Sequence, residues 1–164
     1  MNKYLVAIGD VHGCAKPLQK LLRTLELYSG STFVFIGDYV YRGPDSKAVF
    51  DKVIGFAKSE ECVFLRGNHE VMMLGAINSG DHFMWKLNGG RQTLDSLNMS
   101  WYDDFIDSTY YDFLRETKNH YETDDFFFTH GGLGPLKSIP ENLNENPLVN
   151  LLWERSHIDM PRPV

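Results

Sequence analysis

Cysteine is scarce in this sequence, and several other features that would place a chain in a particular class are missing. The two cysteines, Cys14 and Cys62, lie far apart and form no Cys-x-x-Cys pair. This argues against a disulfide scaffold and an all-thiolate metal site, and it indicates a reduced, cytoplasmic protein with two small buried thiols. No apolar run approaches the length of about 18 residues that spans a membrane, and the amino terminus has no cleavage-site pattern. We therefore expect neither a membrane protein nor a secreted one.

A surplus of positive charge is also missing. The chain has 16 Lys and Arg against 22 Asp and Glu, which gives a net charge of −6 at pH 7. This balance argues against a protein that binds nucleic acid through its phosphates. The 164 residues, 43% of them hydrophobic, fit a single domain over residues 1–164 that needs no disulfide or structural metal. Any metal site is therefore expected to serve chemistry.

The first half of the chain alternates short β-rich apolar runs with helical patterns. Three runs are predicted strands: residues 4–8, 32–36 and 62–65. Between them, Leu18, Leu21, Leu22 and Leu25 mark one face of a helix, and Pro44 and Asp45 open another. A further helix is expected to start near Glu70. This alternation is typical of βαβ units and predicts an α/β fold with a largely buried sheet.

The second half is less regular and predicts a helical insertion followed by a hairpin. Ser100 and Asp103 resemble a capping box before a helix that runs to about Leu114. Residues 119–123 and 125–129 predict two strands joined at Thr123 and Asp124. A short helix is expected over residues 148–153.

Each predicted strand of the sheet, and the hairpin, ends in a polar motif. These motifs are Gly-Asp-Val-His-Gly from residue 9, Gly-Asp-Tyr-Val-Tyr-Arg-Gly from residue 37, Arg-Gly-Asn-His-Glu from residue 66 and His-Gly-Gly from residue 130. One Asp after a strand is commonly a turn former or helix cap. Four such loops instead indicate a site, because ligands of α/β sheets bind beyond the carboxyl ends of the strands. Carboxylate, amide and imidazole donors suit Mn²⁺, Fe or Zn²⁺. A dinucleotide site is the competing interpretation, but no G-x-G-x-x-G follows the first strand.

The four motifs resemble the signatures of the calcineurin-like metallophosphoesterases. The phosphoprotein phosphatase branch, which includes the bacteriophage lambda protein phosphatase, carries GDxHG, GDxxDRG, GNHE and HGG in the order seen here between residues 9 and 132. The likeness continues through residues 151–155 (LLWER), and WKLNGGRQTL at residues 85–94 is most similar to the bacterial and phage Ser/Thr type. The resemblance implies a β-sandwich flanked by helices.

The resemblance also implies roles for individual residues. The implied metal ligands are Asp10 and His12 for a first ion, Asp38 as the bridge, and Asn68 and His130 for a second ion. The implied general acid is His69, and the implied phosphate contacts are Arg42, Asn68 and Arg155. Two divalent ions about 3.5–4 Å apart can activate water and neutralise a transferring phosphoryl group. The implied cofactor is two divalent metal ions, with Mn²⁺ favoured and Fe or Zn²⁺ as alternatives.

Two positions depart from the family pattern. Tyr41 stands where the family carries the Asp that holds and polarises the general-acid His, and a neutral phenol can hydrogen-bond an imidazole without stabilising its charged form. We expect a slowed enzyme. The family also has a metal-ligand His downstream of residues 153–155, where this chain offers only His157, which is interpreted as a solvated tail residue. The sequence is therefore expected to be truncated at its carboxyl end, lacking the last strands and one ligand and binding metal weakly.

The sequence predicts metal-dependent hydrolysis of phosphate monoesters. The leading substrate is phosphoserine or phosphothreonine in a phosphoprotein or phosphopeptide partner, with no nucleic acid or membrane involved. One alternative is a symmetrical dinucleoside tetraphosphate hydrolase, which Tyr41 slightly favours because related enzymes of that class also lack the Asp. The other is a weakly active or non-catalytic phosphatase that acts as a binding protein.

Overall fold

The computed structural model describes residues 4–100, 103–144 and 147–156, and a parallel sheet lies at its centre. The sheet contains β1 (Leu5–Ile8), β2 (Thr32–Phe35) and β3 (Glu61–Phe64) in that order. Leu5 pairs with Thr32, and Thr32 pairs with Glu61, so the three strands end at one edge. Phe33, Val34 and Phe35 of the central strand are fully buried, as expected for a strand covered on both faces.

Two helices form the crossovers between these strands. α1 (Ala15–Leu25) follows β1, and α2 (Ser46–Phe56) follows β2. α1 buries Leu18, Leu22 and Leu25, whereas Leu21, which the sequence placed on the same face, is 40% exposed. α2 begins where the sequence predicts, because the side chain of Asp45 caps it by accepting the Ala48 N–H at 2.9 Å.

A run of helices follows β3, first the helix expected near Glu70 and then the helices of the predicted insertion. It comprises α3 (Asn68–Ser79), α4 (Phe83–Leu87), α5 (Gly90–Leu97), α6 (Asp103–Ile106) and α7 (Thr109–Glu116). α3 starts two residues before Glu70. The single helix predicted up to Leu114 is wrong, because Ser108 caps α7 through its hydroxyl and divides the segment into α6 and α7. The Ser100 N–H donates to Asp104, not to Asp103.

A hairpin and two short helices complete the described chain. β4 (His120–Glu122) pairs antiparallel with β5 (Phe127–Thr129). Their turn is longer than the two residues predicted, because the Thr123 N–H donates to the Phe126 carbonyl and the Phe126 N–H donates back to the Thr123 hydroxyl. α8 (Ile139–Asn144) and α9 (Pro147–Trp153) follow. The Thr129 hydroxyl donates to the Leu151 carbonyl at 2.7 Å and so joins the hairpin to α9.

The predicted α/β class is confirmed, and one detail of the cysteines is corrected. Cys14 and Cys62 are free, but each is half-buried and not fully buried as expected. Among the helices of the described ranges, none combines the length and the apolar character that crossing a membrane requires. His157, interpreted from the sequence as a tail residue, lies outside the described residues.

Candidate metal centre

The loops that follow β1 and β2 are held together by backbone hydrogen bonds. The N–H groups of Val11 and His12 both donate to the Asp38 carbonyl, at 3.1 and 2.7 Å. In the other direction, the Gly43 N–H donates to the His12 carbonyl at 2.8 Å. The aligned carboxyl ends of the strands make this possible, because they bring both loops to one edge of the sheet. The first two sequence motifs therefore form one unit.

Backbone conformations that most side chains avoid are concentrated in this unit. Five non-glycine residues among those described have positive φ, and four of them belong to the two loops: His12 (45°), Asp38 (53°), Tyr41 (67°) and Arg42 (61°). A left-handed conformation costs a residue with a Cβ roughly 1–2 kcal/mol. Such conformations persist where the surroundings impose them, and they cluster at functional sites.

The Asp38 carboxylate lies at the centre of a cluster of imidazoles. Its Oδ2 is 3.4 Å from His12 Nε2, 3.5 Å from His130 Nε2 and 3.9 Å from His69 Nε2. Asp10, whose side chain is 50% exposed, adds a second carboxylate 3.8 Å from His12 Nε2 and 3.9 Å from His130 Nδ1. The loop after β1, the loop after β2, the start of α3 and the end of the hairpin thus converge on one point.

Two of the imidazoles are oriented by backbone carbonyls. Nδ1 of His12 lies 3.1 Å from the Val40 carbonyl, and Nδ1 of His130 lies 3.0 Å from the Ile36 carbonyl. An Nδ1–H that donates to a carbonyl leaves Nε2 with a free lone pair, which is the state that a metal ligand needs. In both residues that Nε2 faces Asp38.

Buried acceptors without a partner fit a cation at this point. Within the described ranges, His12 Nε2, His130 Nε2 and Asn68 Oδ1 are buried and lack a hydrogen-bond partner. Buried polar atoms are normally satisfied. Two sets of donors lie within 4.8 Å of one another, His12 with Asp38 and His69, and Asp10 with Asp38 and His130. Asp38 is common to both sets, as a bridging ligand would be.

The predicted site residues are brought together to different degrees. The structure gathers Asp10, His12, Asp38, His69 and His130 in one cluster. It groups His130 with Asp10 and His12 with His69, whereas the resemblance paired His130 with Asn68. Asn68 is buried at the start of α3. Arg42 Nη2 lies 3.4 Å from His69 Nε2. Arg155 is exposed after α9, and no contact within the described ranges joins it to the cluster.

His69 lacks the polar partner that the family Asp would supply. Its ring packs edge-to-face against Tyr41, with centroids 4.9 Å apart. His69 Nδ1 has no hydrogen-bond partner among the described residues, so His69 and Tyr41 contact each other through their rings. Burial lowers the pKa of His69 to about 4, with the charges of His12 and Arg42 adding to the effect and Asp38 opposing it. Burial also raises the pKa of Tyr41 well above its usual value.

Glu70, near which the sequence predicts the start of a helix, is a buried acceptor for four backbone N–H groups. It is fully buried, and its Oε2 accepts the N–H groups of Asp38 and Gly67, both at 2.8 Å. Its Oε1 accepts those of Tyr39 and Val40 at 2.9 and 3.3 Å. Burial, followed by the charge of Asp38, raises the pKa of Glu70 to about 7, while the backbone donors oppose this shift. Arg66, the first residue of the third motif, donates to the backbone carbonyls of Arg115 and Thr117.

Trp85 is a residue of the site region to which the sequence gave no role there. It is 1% exposed, and its indole lies against Tyr41 at a centroid distance of 6.2 Å. The signal available in the sequence was the nearby Gly89-Gly90 pair, which allows a close approach of the backbone to a large side chain.

Comparison with known proteins gives one matching family and several partial relatives. Residues 4–163 match the calcineurin-like phosphoesterase family. The symmetrical bis(5'-nucleosyl)-tetraphosphatase of Bordetella pertussis is 44% identical over 78 residues, which are 46% of this chain and 27% of that protein. Serine/threonine-protein phosphatase 1 of Salmonella typhimurium is 34% identical over 89 residues, 54% of this chain and 39% of that protein. These matches therefore span well under half of either relative.

A solved structure shares the fold over nearly the whole chain. The cold-active protein-tyrosine phosphatase of a Shewanella species superposes with a TM-score of 0.65 and 20% sequence identity. The superposition covers 94% of this chain and 50% of that one. At this identity the likeness concerns the fold alone.

Proposed function

The chain belongs to the calcineurin-like phosphoesterase family, and from this premise we propose that it hydrolyses the phosphoanhydride of symmetrical dinucleoside tetraphosphates in a metal-dependent reaction. The observation that supports the reaction class is the cluster around Asp38, in which two donor sets share one carboxylate. Two divalent cations bound there would supply an activated water and neutralise the charge of the transferring phosphate. Oxygen and imidazole donors make Mn²⁺ the first candidate, with Fe and Zn²⁺ as alternatives.

The side chains around the cluster have distinct roles in this proposal. Asp38, Asp10, His12, His130 and Asn68 hold the cations. Arg42 is exposed beside the cluster, and its planar guanidinium offers two parallel donors to phosphate oxygens. His69, 3.4 Å from Arg42, delivers a proton from Nε2 to the leaving oxygen. Arg155 is a further proposed phosphate contact.

The environment of His69 supports a phosphoanhydride over an alkyl ester. Stabilisation of a positively charged His69 would come from a carboxylate at Nδ1. Among the described residues Nδ1 has no hydrogen-bond partner, and the His69 ring packs against the neutral ring of Tyr41. A departing nucleoside diphosphate is a weak base, since a phosphate group has its second pKa near 6. A departing serine alkoxide is a far stronger base and needs its proton during bond cleavage. The identity shared with symmetrical tetraphosphatases supports the same choice.

A protein phosphatase is the second candidate. It is supported by the 34% identity with the Salmonella serine/threonine-protein phosphatase. Its substrate would be phosphoserine or phosphothreonine in a protein partner, and its slow step would be loss of the alkoxide.

The two candidates are separated by measuring kcat/KM for diadenosine tetraphosphate and for a phosphothreonine peptide as Mn²⁺ is titrated. We expect saturable turnover of the dinucleotide, with ADP as the nucleotide product and a kcat/KM at least about tenfold above that of the peptide. Asp38→Asn is the control, and it should lower turnover by at least about a hundredfold because it removes the shared carboxylate. A preference for the peptide would replace the proposal with the second candidate. Peptide binding without turnover of either substrate would identify a non-catalytic binding protein.

A further inference from the structure

A row of four aromatic rings runs from the metal centre into the helical insertion. His12 and His69 are 5.0 Å apart between centroids, with their planes at 87°. His69 and Tyr41 are 4.9 Å apart at 72°, and Tyr41 and Trp85 are 6.2 Å apart at 63°. Each contact is edge-to-face, an arrangement that aromatic rings prefer. The row therefore links the orientation of His69 to a side chain of α4.

The orientation of the His69 ring depends on this packing. Its Nε2 faces Arg42 at 3.4 Å and Asp38 at 3.9 Å. Its Nδ1 is buried and, within the described residues, has no hydrogen-bond partner. A histidine in a site is usually fixed by a hydrogen bond at the second ring nitrogen. Here the ring has no such bond, and it packs edge-to-face against the ring of Tyr41.

The ring of Tyr41 in turn packs against the indole of Trp85. The Tyr41 backbone has φ of 67°, a conformation that the surroundings must impose on a tyrosine. Trp85 packs on its ring. Gly90 makes room for Trp85, since a Cβ at this position would overlap the indole, and a Cβ at Gly89 would lie 3.4 Å from Tyr41 Cβ. The turn between α4 and α5 thus clamps the indole against Tyr41.

We propose that Trp85 is a positioning residue for His69 and acts through the ring of Tyr41. This inference rests on the proposed function, in which His69 protonates the leaving group. The rings of Tyr41 and Trp85 take over, by packing, the orienting task that a carboxylate would perform by hydrogen bonding. The helical insertion then helps to determine which leaving groups the enzyme can expel.

The activity test compares two aryl phosphates that differ in their need for a proton. p-Nitrophenyl phosphate releases a stable anion, whereas phenyl phosphate releases a phenolate whose conjugate acid has a pKa of about 10. Trp85→Leu should lower kcat for phenyl phosphate by about ten- to a hundredfold. For p-nitrophenyl phosphate the loss should stay within about threefold, and the Mn²⁺ concentration for half-maximal rate should not change. Trp85→Phe, which keeps a ring, should recover most of the loss.

Phe105→Leu is the matched control for lost packing. Phe105 is fully buried and packs against Phe50 and Tyr111, so its substitution removes a core ring without touching the row. We expect this variant to change kcat by the same factor for both substrates. An equal loss of kcat for both substrates in Trp85→Leu would contradict the proposal. A loss explained by weaker binding of Mn²⁺ would contradict it too.

A spectroscopic test needs no catalysis. In metal-free protein with ¹³C-labelled histidine, the His69 ring signals, assigned with His69→Gln, should move in Trp85→Leu and in Tyr41→Leu. They should stay in place in Phe105→Leu. Unmoved signals in Trp85→Leu would overturn the inference. If the wild-type enzyme fails to hydrolyse any phosphate ester while the His69 signals move as expected, the proposed function fails and the positioning contact stands.

Discussion

The backbone N–H of Asp38 donates a hydrogen bond of 2.8 Å to the carboxylate of Glu70. Glu70 is fully buried, and the same carboxylate accepts the N–H groups of Gly67, Tyr39 and Val40. A single side chain of α3 thus fixes the loop that carries the shared carboxylate of the metal centre. Because all four donors are amides, the position requires a group that accepts on both oxygens.

Glu70→Gln should therefore destabilise the fold. An amide side chain has one acceptor, so its NH₂ would face two backbone N–H donors in either orientation. We expect the free energy of unfolding to fall by about 2–3 kcal/mol, as measured by urea unfolding of the metal-free protein. Glu60→Gln is the control, because Glu60 also accepts two hydrogen bonds, from Ser29 and Gly30, but at the surface. Its cost should stay within about 0.5 kcal/mol, and equal costs for the two variants would contradict this account.

The strand-end residues of the site could be predicted from the sequence because they follow from topology alone. Parallel strands in register end at one edge, so Asp10 and Asp38 must approach each other once the strands are identified. No knowledge of side-chain packing was needed. The same reasoning placed Asn68 and His69 at this edge.

The rest depends on contacts between distant parts of the chain. The Glu70 side chain reaches N–H groups of residues 38–40, about thirty positions earlier in the sequence. Trp85 meets Tyr41 only because α4 folds back over the loop after β2. Neither contact produces a periodic pattern or a motif in the sequence, so neither can be predicted from such patterns. The break at Ser108 has no signal in the apolar pattern, because apolar residues recur on both sides of it.

Mn²⁺ should stabilise the protein against heat. A ligand that binds only the native state adds about 2.7 kcal/mol at a hundred times its Kd, which corresponds to a rise in Tm of roughly 5–10 °C for a chain of this size. His130→Ala should lose at least half of that rise, because it removes a buried Nε2 3.5 Å from Asp38. His120→Ala is the matched control, since that histidine stacks on Phe127 in the same hairpin. A full rise in His130→Ala, or none in the wild type, would contradict the placement of the metal centre.

The thiol of Cys62 should react slowly with alkylating agents. Burial, together with the charges of Glu60 and Glu61, raises its pKa to about 12. Because the thiolate is the nucleophile, a thiol with a raised pKa is less reactive at neutral pH and gains reactivity as pH rises towards that pKa. In a Cys14→Ala background, alkylation by iodoacetamide at pH 8 should be roughly a thousandfold slower than for an ordinary exposed thiol, and its rate should rise about tenfold per pH unit up to pH 10. A rate that levels off near pH 9 would show an unperturbed thiol.

The loops after β1 and β2 meet at Gly43, and this contact should not tolerate a Cβ at that position. A Cβ there would overlap the His12 carbonyl oxygen and lie 2.7 Å from the carbonyl carbon of Gly13. The loops could then stay closed only by shifting apart, which would break the bond from the Gly43 N–H to the His12 carbonyl. Since His12 and Asp38 belong to opposite sides of this junction, Gly43→Ala should reduce both stability, by about 1–3 kcal/mol, and the rise in Tm produced by Mn²⁺.

Gly55→Ala should raise stability, in contrast to Gly43→Ala, if the loss at Gly43 is caused by steric overlap. A Cβ at Gly55 meets no atom within 4 Å, and the residue lies in α2, where alanine is favoured over glycine by about 0.4–1 kcal/mol. Urea unfolding should therefore show Gly55→Ala to be more stable than the wild type, with an unchanged response to Mn²⁺. Equal stability and equal Mn²⁺ binding of the two variants would mean that the loops after β1 and β2 can accommodate a Cβ at Gly43. The close backbone contact at Gly43 would then not be what brings His12 to Asp38.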